Sequence, residues 1–286
     1  MRTLLCLVFL SLVGSLQAQL WIPTELSPMP ERIANNAVVE AFHDGNAYVY
    51  SFTGIDSSKI WSGTNLRSYR YDVGADQWSI LPDVTDLLGG KVAAGASFID
   101  SVIYIIGGYH IAQNTNEVSS VKLHRFHVPS NSWMSDGADI PLAIDDHIQA
   151  VWRDSLIYVV TGWSNVTNVI NVQIYNPSTD SWSAGTSVPN SSSFRVFGGS
   201  GMIVGDTIWY FGGAQIGSNF PISNRMRRGI INPDDPTQIT WSSSVPASGV
   251  VNYRAAAFES KGLLHWIGGS NITYNFDGIA YNGSGG

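Results

Sequence analysis

The tetrapeptide IIGG at residues 105–108 decides the fold of this 286-residue chain, because sequences of the same kind recur in phase. In every copy an apolar run ends in a pair of small residues whose second member is glycine. The five copies are SFTG at 51–54, IIGG at 105–108, VVTG at 159–162, YFGG at 210–213 and WIGG at 266–269. Their final glycines lie 51 to 56 residues apart. A fixed period of this length predicts a repeat architecture.

A tryptophan follows each of the first four copies and is itself followed by a proline. The tryptophans are Trp78, Trp133, Trp182 and Trp241, and the prolines are Pro82, Pro141, Pro189 and Pro246. In the second repeat the hydrophobic pattern predicts strands at 94–99, 102–106 and 122–128, and Trp133 opens an outer strand. No helical pattern follows any glycine pair, so we expect the glycines to serve tight backbone packing and the tryptophans to lie in the core between repeats.

Together these columns resemble the kelch repeat, which combines a double glycine after an apolar strand with a downstream aromatic residue and a Trp before a proline-containing outer strand. Thr53 and Thr161 depart from the double glycine, and the fourth repeat lacks the aromatic residue. The resemblance implies an all-β fold, a kelch-type β-propeller of four-stranded blades. Repeats are predicted at roughly 31–82, 91–141, 144–189, 197–246 and 252–286, with 20–30 as the outer strand that closes the ring.

The number of repeats predicts about five blades in this chain. The kelch family more usually forms six or seven, which favours the interpretation that the chain is a fragment of a six-bladed ring. In the fifth repeat the pattern predicts an inner strand from about Asn252, a second strand at 263–267 and a third at 279–282. This repeat has no tryptophan in the outer-strand position, and we expect Trp21 to supply it.

Residues 1–18 have the pattern of a secretory signal peptide, because Arg2 precedes a short apolar run and small residues lead to Ala18. The run is too short to span a bilayer, and we expect no membrane span elsewhere. Cleavage after Ala18 removes Cys6, the only cysteine, and leaves a thiol-free propeller domain over residues 19–286. We therefore expect a secreted protein, extracellular or periplasmic, without disulfides.

The composition excludes several classes of function. Only 13% of the residues are charged and the net charge is −7, whereas a nucleic-acid-binding protein normally needs a basic face. A content of 10 Trp, 12 Tyr and 11 Phe excludes a disordered chain or a coiled coil. The one basic cluster, residues 225–228, is expected to be a solvated strand face. No motif indicates a cofactor, and we expect a monomer whose partner is an extracellular protein or a glycan.

In a propeller, function is expected on the loops around one end of the central channel, because those loops are free of the packing demands of the blades. The loops after each second strand and the links into each innermost strand share that end. The candidate ligand-binding residues in these segments are Tyr109, His110, Asp145, His147, Trp163, Asn165, Gln215, Tyr253, Arg254 and Asn271. Their aromatic, amide and charged groups are suited to stack on and hydrogen-bond a sugar or peptide.

The sequence Asp-Asp-His at residues 145–147 is the densest of these clusters and has the chemistry for metal coordination or acid–base work. Consecutive side chains on an extended segment alternate in direction, so at most Asp145 and His147 share a side. No second group of ligands can be connected to the cluster from the sequence. We therefore expect a solvated turn between blades, and we predict no metal site and no catalytic residue.

Two classes of function remain. The first is a secreted module that binds a protein or glycan, and the absence of a catalytic motif favours it. The alternative, implied by the resemblance, is an exported carbohydrate-active enzyme of the sialic acid mutarotase or epimerase type, in which Asp145, His147, His110 or Arg254 would transfer protons. Copper radical chemistry of the galactose oxidase type is excluded, because it requires a cysteine cross-linked to a tyrosine and the mature chain has no cysteine.

Overall fold

The computed structural model describes residues 25–282. The predicted signal peptide, its cleavage site and Trp21 lie outside the described residues, so these remain predictions. Within residues 25–282 the secondary structure is β-strand apart from one 3-10 turn, Trp61–Gly63. No helix in this range has the length and apolar character needed to cross a membrane.

Each of the first four repeats folds into a sheet of four antiparallel strands laid side by side in chain order. Blade 1 contains β1 Ala37–His43, β2 Asn46–Ile55, β3 Thr64–Asp72 and β4 Gln77–Leu81. Blade 2 contains β5 Lys91–Ile99, β6 Val102–Ile111, β8 Leu123–His127 and β9 Ser132–Trp133, with the short β7 Glu117–Ser119 paired to the end of β6. The four strands predicted from the second repeat are present, with three differences in their bounds. The first begins at Lys91, the second runs through its glycine pair to Ile111, and Trp133 ends the outer strand and does not open it.

Blades 3 and 4 repeat the same order. Blade 3 contains β10 Ile148–Trp152, β11 Leu156–Val160, β14 Val172–Asn176 and β15 Ser181–Gly185, with the small ribbon β12 Trp163–Ser164 and β13 Thr167–Asn168 in the loop after β11. Blade 4 contains β16 Phe197–Val204, β17 Thr207–Ala214, β18 Met226–Asn232 and β19 Asp235–Ser244.

Blade 5 differs from the prediction. Its described sheet has two strands, β20 Ala256–Ser260 and β21 Leu263–Ile267. The third strand predicted at 279–282 does not pair with β21. Instead β22 Asn275–Phe276 pairs with β23 Tyr281–Asn282.

This ribbon belongs to a segment that leaves blade 5 and reaches blade 1. We call residues 271–282 the C-terminal strap. The Tyr281 amide donates a hydrogen bond to the Lys59 carbonyl at 2.8 Å, and Phe276 and Tyr281 are buried in a cluster with Tyr109. Burial of two aromatic rings against blades 1 and 2 explains why the segment crosses to those blades and does not extend the sheet of blade 5.

The core lies between neighbouring blades, and the recurrent tryptophans connect them. The indole N–H of each blade donates to a backbone carbonyl in the segment that follows the outer strand of the preceding blade. For blade 1, the carbonyl lies in the chain before the blade. These hydrogen bonds run from Trp78 to Ser27, Trp133 to Pro82, Trp182 to Ala138 and Trp241 to Thr186, at 2.8 to 3.0 Å. The prediction that these residues lie between repeats is confirmed.

The glycine pairs bring each second strand against the link into the next blade. Gly107 and Gly108 have φ of 66° and 86°, and the Gly108 amide donates to the Ile144 carbonyl at 2.9 Å. A Cβ placed on Gly107 would collide with that same carbonyl oxygen. Positive φ and close backbone approach both favour glycine here, as the sequence predicted.

A ring of hydrogen bonds surrounds the channel where the innermost strands begin. One residue in each blade, within three residues of the start of that strand, adopts a left-handed conformation. These residues, which we call the mouth ring, are Asn35, Ala93, Asp146, Gly198 and Arg254, with φ between 48° and 62°. The amides of the last four each donate to the carbonyl of the preceding member at 2.8 to 3.0 Å. The ring therefore places one residue from each blade around one end of the channel.

Candidate functional site

The mouth ring presents three polar side chains and two small ones. Blades 2 and 4 contribute Ala93 and Gly198, while blades 1, 3 and 5 contribute Asn35, Asp146 and Arg254. These three line a cavity of about 280 Å³. Because small residues separate them, the side chains from non-adjacent blades can meet across the ring.

Arg254 and Asp146 form a buried, bidentate ion pair. Arg254 Nε and Nη2 lie 2.8 and 2.5 Å from the two Asp146 carboxylate oxygens, and the side chains are only 9% and 6% exposed. Burial, the largest single effect, lowers the pKa of Arg254, but the Asp146 carboxylate together with Tyr253 and Tyr274 outweighs burial, so the pKa is raised above its ordinary value. The guanidinium is therefore permanently charged, and the pair joins blade 5 to blade 3.

Asn35 and the C-terminal strap complete the surroundings of the guanidinium. Arg254 Nη1 donates to Asn35 Oδ1 at 3.0 Å and approaches the Tyr274 carbonyl at 3.4 Å. The guanidinium carbon lies 4.8 Å from the Tyr253 ring centroid and 5.0 Å from that of Tyr274. Cation–π contacts of this kind stabilise a desolvated guanidinium. The strap thus covers one side of the mouth.

Two further carboxyl groups lie beside this pair. Ser119 Oγ donates to Asp145 Oδ2 at 2.5 Å, and burial followed by the charge of Asp146 raises the pKa of Asp145 well above its ordinary value. Glu117 lies two residues before Ser119 in β7, so its side chain is on the same face. Burial, and then the Asp146 charge, raise the pKa of Glu117 to about 7. A carboxyl group with that pKa exchanges protons readily near neutral pH.

Below the mouth, the innermost strands form the channel wall around a second cavity of about 480 Å³. Blades 1, 2 and 4 line this cavity with small residues, Asn36 and Val38. Blade 5 contributes Arg254 and three alanines, and blade 3 contributes His147, Ile148 and Gln149. Among the described residues, no group of three or more His, Cys, Asp or Glu side chains is arranged to hold a metal ion.

Four of the ten predicted site residues lie at or beside the mouth. Arg254 and His147 line the cavity. Tyr253 is fully buried under Arg254 and packs against Phe197 at 5.8 Å between ring centroids. Asp145 is buried behind the mouth against Ser119.

Tyr109 and His110 are buried elsewhere in blade 2. Tyr109 packs under the strap and hydrogen-bonds Tyr281. His110 belongs to a buried charge cluster, in which its Nε2 lies 3.6 Å from Asp86 and the Lys91 ammonium lies 3.2 Å from the same carboxylate. Burial lowers the pKa of His110, and it lowers the pKa of Lys91 to about 8. Neither predicted residue faces the cavity.

The other four predicted residues lie around the periphery. Trp163 packs edge-on against Phe197 at 5.4 Å between ring centroids. Gln215 Nε2 donates to the Ser192 carbonyl at 2.7 Å, and Asn165 and Asn271 are exposed. The structure does not bring these four together with Arg254.

Two expectations about charged clusters are wrong. Residues 145–147 are buried and are not a solvated turn, and Asp145 and His147 do not share a side. The left-handed Asp146 interrupts the alternation, so Asp145 turns toward Ser119 and His147 enters the channel. The basic cluster at 225–228 is not wholly solvated either, because Arg227 is completely buried and donates to backbone carbonyls.

The candidate residues omit Asn35, Asn36, Asp146 and Tyr274, which line the cavity at the mouth. A signal for Asn35 and Asp146 was present in the sequence, because each lies two residues before an innermost strand, at the same place in its repeat as Arg254. Asn and Asp also tolerate the left-handed conformation better than most residues. Their alignment with Arg254 would have indicated a ring position.

Comparisons with known proteins agree with this architecture. No family model matches the chain. Kelch-like protein 25 of Xenopus tropicalis is 26% identical over 168 residues, which are 59% of this chain and 26% of that relative. The chain therefore spans only about a quarter of the length of this relative. The solved structure of YjhT superposes with a TM-score of 0.67 at 18% identity, over 86% of this chain and 75% of that one.

The fold and its repeats together define the class of protein. Four-stranded antiparallel blades around a central channel make this an all-β propeller. The in-phase glycine pairs, the tryptophans that connect the blades and the similarity to a kelch-like protein support a kelch-repeat family.

Proposed function

We propose that this kelch-repeat propeller is a secreted binding module that takes a glycan at the mouth of its channel. The observation that carries the proposal is the polar cavity in which Asn35, Asp146 and Arg254 converge. Its volume of about 280 Å³ is just below the roughly 300 to 1,000 Å³ that is usual for ligand sites. Such a cavity suits one sugar ring at the end of a larger glycan.

The chemistry of the lining supports a sugar. Asn35 Nδ2 and His147 Nδ1 are buried at this cavity and have no hydrogen-bond partner among the described residues, so the lining offers a ligand an amide donor and an imidazole nitrogen. Tyr274 adds an aromatic residue at the same cavity. Sugars require this combination, because their hydroxyl groups both donate and accept hydrogen bonds while their ring faces are apolar.

A binding experiment tests the proposal with two matched variants. Asn35→Gly removes the amide from the mouth and keeps a backbone that tolerates its φ of 54°. Asn131→Gly makes the same change at a left-handed residue in a blade 2 turn, with φ of 48°. We expect the wild-type protein and Asn131→Gly to bind a glycan array equally, and Asn35→Gly to bind at least about tenfold more weakly. Consistent absence of binding by folded wild-type protein would refute the proposal.

Secretion is the second part of the proposal and has its own test. The pattern at residues 1–18 supports export with cleavage after Ala18. Expression of the full chain in a secreting host should release a protein that begins at Gln19. A protein that retains Met1 and stays inside the cell would contradict export.

A second candidate function is proton transfer on a sugar, as in a mutarotase or epimerase. The pKa of about 7 at Glu117 favours it. In anomerisation, a base removes the proton of the anomeric hydroxyl while an acid protonates the ring oxygen, and the ring opens and recloses. Acceleration of anomer exchange should be measured by NMR on N-acetylneuraminate and on neutral sugars. We expect Glu117→Gln to abolish any acceleration, and no acceleration by the wild type would exclude this function.

A further inference from the structure

Two buried polar atoms at the cavity of the channel mouth have no hydrogen-bond partner within residues 25–282, namely Asn35 Nδ2 and His147 Nδ1. Neighbouring polar groups of the lining are already occupied. The Asp146 carboxylate accepts from Arg254, and Ser200 Oγ donates to a backbone carbonyl at 2.6 Å. A buried polar atom without a partner is unfavourable, so a ligand that supplies both missing partners is favoured at this cavity.

The amide of Asn35 is a donor to the cavity, because Arg254 determines which of its two polar atoms is the oxygen. Arg254 Nη1 lies 3.0 Å from Asn35 Oδ1, and a guanidinium can only donate. The oxygen must therefore face Arg254, which makes the other atom the nitrogen. The Tyr281 hydroxyl approaches the Asn35 side chain, but Nδ2 has no partner within hydrogen-bond distance. Asn35 thus keeps N–H groups free for an acceptor on a ligand.

His147 offers the opposite polarity, because Gln149 determines its tautomer. Gln149 Nε2 donates to Ser97 Oγ at 3.0 Å and to the Tyr104 carbonyl at 3.3 Å, and a carbonyl can only accept. Gln149 Oε1 must therefore face His147, whose Nε2 lies 3.0 Å away and must carry the proton. Burial lowers the pKa of His147, so the ring is neutral at neutral pH and Nδ1 carries a lone pair.

The donor and the acceptor belong to two blades that blade 2 separates. In the mouth ring the Ala93 amide donates to the Asn35 carbonyl and the Asp146 amide donates to the Ala93 carbonyl, so blade 2 stands between blades 1 and 3. Blade 2 lines the cavity with the small apolar side chains of Ala93 and Ala94. A ligand group that satisfies the mouth therefore needs an acceptor on one side, a donor on the other and an apolar part that fits against blade 2.

We infer that the mouth recognises the acetamido group of an N-acetylated amino sugar. The inference rests on the proposed glycan site and specifies its ligand class. An amide is planar and trans, so its C=O and N–H point in opposite directions. Asn35 Nδ2 donates to the acetamido oxygen, the acetamido N–H donates to His147 Nδ1, and the methyl group packs on the two alanines of blade 2. Hydroxyl groups satisfy donors and acceptors in any order, whereas this arrangement matches a group whose polarity is fixed.

The first test compares sugars that differ only in the group at carbon 2, by NMR titration of the wild-type protein at pH 7.5. The pairs are N-acetylglucosamine against glucose and N-acetylgalactosamine against galactose. Because two hydrogen bonds distinguish the members of a pair, we expect each acetylated sugar to bind at least about tenfold more tightly. Equal binding within both pairs would overturn the inference and leave a glycan site in place. If no sugar binds, the proposed glycan site itself fails, and the inference fails with it.

The tautomer of His147 provides a readout that does not depend on affinity. Nitrogen NMR of the imidazole side chains, with the His147 signals assigned by their loss in His147→Phe, distinguishes a protonated from an unprotonated ring nitrogen. We expect Nδ1 to be unprotonated in the free protein and to shift toward a hydrogen-bonded position when N-acetylglucosamine is added. A protonated Nδ1 in the free protein would overturn the inference.

Two matched pairs of variants separate recognition from folding. Asn35→Asp replaces the free N–H groups with an oxygen, and Asn131→Asp makes the same change at another left-handed residue, with φ of 48°. His147→Phe removes the acceptor, and His127→Phe is its control at a histidine in β8 that lines neither cavity.

In both mouth variants the preference for N-acetylglucosamine over glucose should fall by at least about fivefold, and in both controls it should stay at the wild-type value. An unchanged preference in the folded mouth variants would overturn the inference. If a mouth variant does not fold, the sugar pairs and the His147 spectrum of the wild-type protein decide the question.

Discussion

Breaking the ion pair between Arg254 and Asp146 should destabilise the propeller far more than breaking an exposed pair. With side chains 9% and 6% exposed, removal of one partner leaves a buried charge without its counter-ion. Such changes typically cost about 3 to 5 kcal/mol, whereas exposed pairs contribute about 0 to 1 kcal/mol. We therefore expect Asp146→Asn and Arg254→Met each to lower the free energy of unfolding by about 3 kcal/mol or more.

The double variant tests the physical reason for that loss. When both charges are absent, no buried charge is left unpaired, so the combined change should cost less than the sum of the single changes by about 2 kcal/mol. Urea-induced unfolding of the purified protein at pH 7, followed by tryptophan fluorescence, gives all three values. Asp139→Asn, which breaks an exposed pair with Lys122, is the control and should cost under about 1 kcal/mol. The buried connection between blades 3 and 5 would be refuted if either single variant lowered the free energy of unfolding no more than this control does. It would also be refuted if the loss in the double variant equalled the sum of the two single losses.

Three further predictions concern the scaffold. Burial lowers the pKa of His110, so the folded state favours its neutral form. The free energy of unfolding should therefore fall as the pH drops from about 6.5 through the folded pKa. Urea midpoints measured between pH 7.5 and 5 should show this decline, and His110→Gln should make it smaller. Trp182→Phe removes the indole hydrogen bond to the preceding blade and should lower the free energy of unfolding by about 1 kcal/mol in the same assay. An unchanged free energy of unfolding would show that this hydrogen bond is dispensable. Gly212→Ala forces a Cβ onto a backbone carbonyl at φ of 69° and should lower the free energy of unfolding by more than about 2 kcal/mol. Gly45→Ala, at φ of 76° in open space, should lower it by only about 1 kcal/mol. Equal losses for the two variants would contradict the close backbone approach at Gly212.

The repeat architecture could be predicted because its signals are local and recur. The glycine pairs require particular backbone conformations, and each repeat carries them at the same position, as at Gly107 and Gly212. The tryptophan column was equally informative, because Trp182 and its equivalents make the same contact with the preceding blade. Five copies of one local constraint identify a fold that a single copy would not.

The site was only partly predictable, because its geometry depends on contacts between distant blades. Arg254 and His147 were identified from the links into the innermost strands. Asp146 was passed over because alternation along an extended segment assigned it to the wrong side, and its left-handed conformation becomes evident only through the hydrogen bond to Ala93 of blade 2. Interpretation of the same segment by position within the repeat would have aligned Asp146 with Arg254.

Buried charges were the least predictable feature. His110 meets Asp86 through the link between blades 1 and 2, and Arg227 is buried because carbonyls of Ser193 and Gly212 converge on it. Sequence patterns treat charged residues as solvated, which holds only when no tertiary partner is available. The C-terminal strap was hard to predict for a similar reason, because its aromatic residues pack against an apolar surface that other blades form.

The most direct test of the account is a crystal structure of the protein grown with N-acetylglucosamine. We predict electron density for the sugar in the cavity at the channel mouth, with a polar group of the sugar within hydrogen-bonding distance of Asn35 or His147 and with the Arg254–Asp146 pair intact. A sugar bound in an outer groove between blades, with the mouth empty, would contradict the assignment of the site.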